Sequence, residues 1–118
     1  MTNEKKQYCY EYWRPSVATD CVIFGFDGKK LKILLIERNL EPFKGYWALP
    51  GGFLRESDKT AENCALRELK EETNLEITPD RLWQLGIFSE EKRDPRNRVI
   101  SLAFYALVKP SDVKGGDD

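Results

Sequence analysis

The sequence predicts a single α/β domain in which a mixed sheet packs against one strong helix. Runs rich in β-forming residues occupy 17–26 and 31–38, and two more lie at 82–88 and 99–108. Between them, residues 59–73 contain neither glycine nor proline, as expected of a helix. Strands on both sides of one helix favour an α/β arrangement. Since 118 residues suit one hydrophobic core, we expect one domain over 1–118 with an N-terminal arm over 1–14.

The first two strands are predicted to form a hairpin. Asp27-Gly28 separates the runs VATDCVIFGF and LKILLIER, and this dipeptide favours a tight turn, although the lysines beside it could lengthen the loop. The loop NLEPFKG and the short apolar piece YWALP follow, and two glycines end this stretch. Trp47 in that piece is expected to lie in the core rather than to stack on a base.

The helix is bounded by residues that favour helix ends. Ser57 or Asp58 is expected to cap its start, because both side chains accept hydrogen bonds from free backbone amides. Asn74 tolerates the left-handed conformation and is expected to end the helix. The charged loop SEEKRDPRNR then separates the last two strands.

Composition excludes several classes of protein. The net charge of -1 provides no broad field for nucleic acid or an anionic membrane, and no apolar run reaches the roughly 20 residues that span a bilayer. The absence of histidine excludes Ser-His and Cys-His hydrolysis. Three cysteines fit no disulfide or zinc spacing, which favours reduced thiols in the cytoplasm. Cys21 and Cys64 lie in apolar patterns and are expected in the core.

The predicted helix places acids where its core face should be. Apolar residues of the first turns, Ala61 and Ala65 among them, define a buried face, and Glu68 and Glu72 fall on the same face with Glu71 beside them. Like charges at these spacings repel, and the negative end of the helix dipole adds to the cost. A bound divalent cation would reverse both penalties, and carboxylates without histidine suit Mg²⁺ or Mn²⁺.

A plainer alternative is a solvated acidic helix in which Arg67 and Lys70 pair with the glutamates, because charged residues are mostly exposed. The helix alone leaves these two readings open. The residues around it favour the metal site.

The segment 52–75, GFLRESDKTAENCALRELKEETNL, resembles the Nudix box. Its second half matches the family pattern Arg-Glu-apolar-x-Glu-Glu-x-Gly-apolar closely, with Asn74 in place of the glycine. The stretches WALPGGF, RPSVATDCVIFGFDGKKLKILLIER and RDPRNRVIS extend the likeness. They are similar to the branch that holds ADP-ribose pyrophosphatase-like proteins and related regulators of NAD metabolism.

The box departs from the family pattern by one additional residue. Counted from Gly52, the first glutamate position of the pattern falls on Asp58, whereas counted back from Arg67 it falls on Lys59. In the family this acid supports the box arginine. Asp58 could pair with Arg67 if the loop bulges, and Lys59 could not.

The resemblance implies an α/β/α sandwich with a mixed sheet and a loop–helix–loop box. It implies that Glu68, Glu71 and Glu72 are catalytic and hold Mg²⁺ or Mn²⁺ with the carbonyl of Gly51 or Gly52. Proton transfer would fall to a box glutamate or to an acid on a later loop. Arg67 and Asp58 would support the box. The basic loop offers Arg93, Arg96 and Arg98 as phosphate contacts, with a merely solvated hairpin loop as the alternative.

The predicted function is metal-dependent hydrolysis of a nucleoside diphosphate linked to another group, with ADP-ribose or a similar nucleotide sugar as substrate. The alternative is an ADP-ribose-sensing Nudix domain of a transcriptional regulator without hydrolytic activity, and a bland α/β binding module is a third. We expect a small-molecule ligand and neither a membrane nor a nucleic-acid partner. A homodimer is a further possibility, with Tyr10, Tyr12 and Trp13 at its contact. Relatives continue beyond the last strand, so we expect the C-terminal strand and helix of the sandwich to be missing from this chain.

Overall fold

The computed structural model describes residues 7–92, 94 and 98–113. In chain order the elements are β1 (Ser16–Phe26), β2 (Leu31–Ile33), β3 (Ile36–Glu37), β4 (Trp47–Ala48), β5 (Gly51–Phe53), α1 (Ala61–Thr73), β6 (Trp83–Phe88) and β7 (Val99–Val108). Two short 3-10 turns, at Pro79–Arg81 and Pro110–Asp112, complete them.

The main sheet is mixed, as predicted. Its order is β2-β1-β7-β6, and β5 also pairs with β1. The long strands β1 and β7 are parallel, while the other pairings in this sheet are antiparallel. Because β1 pairs with β5 at its beginning and with β2 at its end, it joins the hairpin to the loop that precedes the helix.

The predicted second strand is divided in the structure. The amide of Leu34 donates to the carbonyl of Ile23 at 3.0 Å, and Leu34 is buried. The chain then leaves the main sheet, and β3 pairs with β4 as a separate two-stranded ribbon. Trp47 lies on this ribbon with 55% of its surface exposed, so the prediction that it belongs to the core is wrong. The apolar neighbours of Trp47 in the sequence gave no sign that β3 and β4 would pair apart from the main sheet.

The predicted hairpin between β1 and β2 is present, with Phe26 paired to Leu31. Its loop is four residues long, because Asp27 Oδ1 accepts hydrogen bonds from the amides of Lys29 and Lys30 at 2.9 and 2.8 Å. Gly28 takes a φ of 94°, a value that glycine adopts without strain.

Helix α1 begins two residues later than predicted. Thr60, rather than Ser57 or Asp58, is the N-cap, and its hydroxyl accepts from the amide of Asn63 at 3.0 Å. Asn74 ends the helix with a φ of 62°, and its amide donates to the carbonyl of Lys70 at 2.9 Å, as the sequence predicted. Asp58 is not available as a cap because it binds Arg67 instead.

The core lies between α1 and one face of the sheet. Cys21 and Cys64 are fully buried, which confirms their prediction as core residues, and all three cysteines of the chain are free thiols. The buried apolar cluster includes Cys21, Ile23, Leu34, Ala65, Leu69, Leu75, Ile77, Leu82, Phe104, Ala106 and Val108.

The opposite face of the sheet carries exposed apolar side chains. Trp83 and Tyr105 stack with their ring centroids 5.8 Å apart, and both are exposed together with Leu107. A single α-helix and no second helical layer occur among the described residues. No helix in this part of the chain is long and apolar enough to cross a membrane.

Candidate functional site

The two glycines of β5 lie directly against the acidic end of α1. The amide of Gly51 donates to Glu72 Oε1 at 2.8 Å. A Cβ placed on Gly51 would come within 2.0 Å of the carbonyl oxygen of Thr19, and one on Gly52 within 2.6 Å of the carboxylate carbon of Glu68. A side chain is therefore excluded at Gly51 by backbone, whereas one at Gly52 would displace the Glu68 carboxylate. This close approach brings the backbone of β5 to the glutamates.

The three box glutamates differ in exposure and in partners. Glu68 is the most enclosed, with 13% of its side chain exposed, and it accepts from Arg67 Nη1 at 2.5 Å. Glu71 points further outward and pairs with Arg67 at 3.4 Å and with Arg55 at 3.6 Å. Arg67 thus contacts two of the three acids and holds their carboxylates beside β5.

The Glu72 carboxylate has an unusual protonation equilibrium. Loss of hydration, followed by the charges of Glu68 and Glu71, raises its pKa to about 7, against the lowering effects of the Gly51 amide and Arg38. The residue as a whole is still exposed, so water screens part of this cost. Lost hydration first, and the neighbouring acids second, thus both disfavour the charged form of Glu72 at this end of α1.

Asp58 contacts Arg67 directly across the additional residue of the box. Arg67 Nε donates to Asp58 Oδ1 at 2.9 Å and Arg67 Nη2 to Asp58 Oδ2 at 2.8 Å, a two-pronged ion pair. The Arg55 amide also donates to Asp58 Oδ2 at 2.8 Å. These bonds, the Arg67 guanidinium first, hold the pKa of Asp58 well below its usual range, and the pair raises the pKa of Arg67. Asp58 therefore makes the contact with Arg67 that a supporting acid of the box requires, and Arg67 folds back over the box instead of facing solvent.

The box glutamates offer carboxylate oxygens, which suit a hard divalent cation, but in this structure the oxygens do not point to one common position. No three acidic or cysteine side chains are grouped closely enough to hold a metal ion in the part of the chain that is described. Glu68 is turned to Arg67 and Glu72 to the Gly51 amide. Carboxylate oxygens with uncompensated charge and a nearby glycine carbonyl are ligands that Mg²⁺ and Mn²⁺ prefer.

Two clefts flank the contact between Gly51 and Glu72, and Arg38 lines both. The first, of about 400 Å³, is lined by residues 36–40 with Glu71 and Glu72. The second, of about 340 Å³, is lined by Ala18, Thr19, Asp20, Arg38, Ala48, Leu49, Gly51, Gly52, Phe53, Asp94 and Val99.

Arg38 is a functional candidate that sequence reasoning missed. Its Nε donates to the carbonyl of Pro42 at 2.8 Å, and among the described residues its terminal nitrogens make no ion pair. The available signal was a cation at the end of the run LKILLIER, next to the glycine-containing loop. A charged residue at a strand end is ordinarily solvated, so only the position of Arg38 between the two clefts identifies it as a functional candidate.

The predicted phosphate-binding loop is only partly described. Arg93 and Arg96 lie outside the described residues. Arg98 is partly buried, its carbonyl accepts from the amide of Ser16 at 3.0 Å, and it lines neither of the two clefts. Its place at the beginning of β7 joins the loop to the first residue of β1.

Comparison with known proteins gives one family. Residues 14–118 match the family profile of the NUDIX domain. The ADP-ribose pyrophosphatase of Methanocaldococcus jannaschii is 47% identical over 107 residues, which cover 91% of this chain and 59% of that protein. The chain thus spans less than two thirds of the length of this relative.

Two of the solved structures with a similar fold are also similar to this chain in sequence. The NUDIX domain of Shewanella oneidensis NrtR, crystallised with ADP ribose, has a TM-score of 0.78 and 32% identity over 87% of this chain and 66% of its own. A bifunctional NMN adenylyltransferase/ADP ribose pyrophosphatase from Francisella tularensis, crystallised with AMP and a manganese ion, has a TM-score of 0.72 and 32% identity, covering 92% of this chain and 33% of its own.

Proposed function

The chain belongs to the NUDIX domain family, and from that premise we propose that it hydrolyses ADP-ribose or a similar nucleotide sugar in a reaction that needs a divalent cation. Water attacks one phosphorus of the diphosphate, the bridging P–O bond breaks, and ADP-ribose yields AMP and ribose 5-phosphate. The relative from Methanocaldococcus jannaschii supports the substrate, since it is an ADP-ribose pyrophosphatase at 47% identity.

The observation that carries the proposal is the contact of Gly51 and Gly52 with Glu72 and Glu68. It places a backbone strand, three carboxylates and two clefts within one region. Such an arrangement can hold a cation at the centre and a substituent of the diphosphate on either side.

The cation, as Mg²⁺ or Mn²⁺, would be held by Glu68, Glu71, Glu72 and the Gly52 carbonyl, and when bound it supplies charge neutralisation at the phosphates and polarisation of the attacking water. The manganese ion in the Francisella tularensis structure supports the choice of metal class. Arg67 keeps Glu68 and Glu71 in place from its ion pair with Asp58.

The proton of the attacking water needs an acceptor with a pKa near the working pH. Glu72 is a candidate for this role when it does not ligate the cation, because burial raises its pKa above the usual carboxyl range in the metal-free protein and its Oε1 accepts from the Gly51 amide. A carboxylate on a later loop is the other candidate that the sequence suggested, and Asp94 is the acid of that loop that lines a cleft.

Arginine side chains are proposed to bind the phosphates. Arg38 lies between the clefts, its terminal nitrogens make no ion pair with the residues that the structure describes, and a guanidinium matches phosphate oxygens in charge and shape. Arg93, Arg96 and Arg98 remain candidates from the sequence for the same role.

A second candidate function is binding of ADP-ribose without hydrolysis, as in a ligand-sensing domain. The likeness to the NrtR domain crystallised with ADP ribose favours it. The complete set of Glu68, Glu71 and Glu72 favours hydrolysis, because a sensor needs no acids for activating water.

The deciding experiment is an assay of AMP release from ADP-ribose and from a panel of other nucleoside diphosphate compounds, with Mg²⁺, with Mn²⁺ and with EDTA. We expect metal-dependent turnover that is lost in Glu68→Gln. Tight binding of ADP-ribose by calorimetry without turnover under any metal would favour the sensor instead.

A further inference from the structure

Asp20 has a position that neither the metal site nor the predicted phosphate contacts explain. It follows Thr19 and precedes Cys21 on β1, and both of those residues are buried against α1, where Cys21 Sγ contacts the carbonyl of Ala65. Because side chains alternate along a strand, the Asp20 carboxylate lies on the other face of the sheet. There it lines the 340 Å³ cleft together with Gly51, its partner on β5.

The carboxylate is held in place by a neutral partner. Ser101, which is 1% exposed, donates its hydroxyl to Asp20 Oδ2. Among the described residues Asp20 makes no ion pair, and no group donates to its Oδ1. One oxygen of an oriented carboxylate is thus available in a cleft that adjoins the Gly51–Glu72 contact.

The charge of this group restricts what it can bind. A carboxylate repels the diphosphate, so its ligand must be a hydrogen-bond donor from another part of the substrate. The hydroxyl groups of a sugar are neutral donors, and a carboxylate accepts strong hydrogen bonds from them. Ala48, Leu49 and Phe53 line the same cleft with apolar surface, which suits the carbon face of a sugar ring.

We propose that Asp20, oriented by Ser101, accepts hydrogen bonds from the hydroxyl groups of one ribose of the substrate and thereby selects a hydroxylated sugar on one side of the diphosphate. This assignment rests on the proposed hydrolysis of nucleotide sugars and deepens it. Asp20 is then a residue of substrate specificity, whereas Ser101 is a positioning residue.

The test compares ADP-ribose with two analogues, one lacking the hydroxyls of the adenosine ribose and one lacking those of the terminal ribose. For the wild type, kcat/KM should fall about tenfold or more for one analogue, the scale expected for losing a hydrogen bond to a charged group. Asp20→Asn should lower kcat/KM for ADP-ribose and should lose most of the preference for ADP-ribose over that analogue. Whichever analogue is discriminated against by the wild type identifies the ribose that Asp20 binds. Ser101→Ala should lose part of this preference, because Asp20 is then less firmly oriented.

Controls separate this role from a structural one. Asp80→Asn, on an exposed turn, should keep the full discrimination. If Asp20→Asn fails to fold, Asp20→Glu and Ser101→Ala carry the test, with thermal melts beside the kinetics. Unchanged discrimination in folded variants would overturn the assignment, as would a loss of Mn²⁺ affinity in the absence of nucleotide, since that would mark Asp20 as a metal ligand. A wild type that neither binds nor cleaves ADP-ribose would overturn the proposed function together with this inference.

Discussion

The amide of Gly51 donates a 2.8 Å hydrogen bond to Glu72, two residues that lie 21 positions apart. This bond joins the strand before the helix to the last turn of the helix. It fixes one oxygen of a carboxylate whose pKa is raised to about 7, because the carboxylate has lost part of its hydration and lies among other acids.

Glu72→Gln should leave the fold intact and remove most of the stabilisation that metal gives. The amide oxygen can still accept from Gly51, and removal of one negative charge should be neutral or stabilise the metal-free protein by a few tenths of a kcal/mol, about the size of one like-charge repulsion. Magnesium should raise the melting temperature of the wild type and much less that of the variant. Turnover should fall by about two orders of magnitude or more. Thermal melts with EDTA and with Mg²⁺, for this variant and for Glu68→Gln, measure the effect; equal magnesium-induced shifts in all three proteins would exclude these acids as metal ligands.

Metal-free stability should decrease between pH 4.5 and 7. The folded-state pKa of Glu72 is raised from 4.5 to about 7, so in this window the folded state binds more protons than the unfolded state. The free energy of unfolding therefore falls as pH rises, and the contribution is complete below the unfolded pKa. Urea titrations in EDTA across this range should show a smaller decrease for Glu72→Gln than for the wild type. The same slope in both proteins would contradict the raised pKa.

Asp58→Asn should destabilise the box more than Lys59→Gln. The first change removes the two-pronged ion pair with Arg67, at a cost of about 1.5–3 kcal/mol for hydrogen bonds to a charged group, whereas Lys59 is exposed. Arg67 would then hold Glu68 and Glu71 less firmly, so magnesium affinity should also fall. Chemical denaturation and calorimetry measure the two effects. Equal stability of both variants would contradict the assignment of Asp58, and not Lys59, to the position of the supporting acid.

Arg38→Gln should raise KM for the preferred substrate about tenfold, by loss of a charge-assisted contact to phosphate, with little change in melting temperature. Arg96→Ala is predicted from the sequence to weaken substrate binding likewise, with similar or smaller effects for Arg93 and Arg98. Steady-state kinetics on the four variants rank these contributions. An unchanged KM in Arg38→Gln would remove Arg38 from the substrate site.

Gly51→Ala should be much more damaging than Gly86→Ala. A Cβ on Gly51 would lie 2.0 Å from the carbonyl oxygen of Thr19, while one on Gly86 would meet nothing within 4 Å. Forcing β5 away from β1 should cost about 1–3 kcal/mol and should displace the amide that binds Glu72, so activity should fall as well. Melting temperature and turnover of the two variants provide the comparison. A Gly51→Ala protein as stable and active as Gly86→Ala would show that the strand moves without consequence.

The sequence by itself determined the order of the elements, because their signals are local. The alternation on β1, the absence of helix-breaking residues in 61–73 and the preference of Asn74 for a left-handed conformation each act within a few residues. The acids of the helix were also predictable, since their angular position follows from helical geometry and from no other part of the chain.

The tertiary structure decided how distant residues meet. Asp58 does not cap the helix because it binds Arg67, nine residues away, and Thr60 takes that place. The sequence near the helix start did not indicate this contact. The exposure of Trp47 follows from the departure of the β3–β4 ribbon from the main sheet, and an apolar neighbourhood in sequence does not report that. Arg38 and Asp20 become candidates only because the fold brings both to one cleft, where Asp20 is placed by the pairing of β1 with β5. Contacts of this kind depend on loop closure and packing over long separations, which residue patterns do not encode.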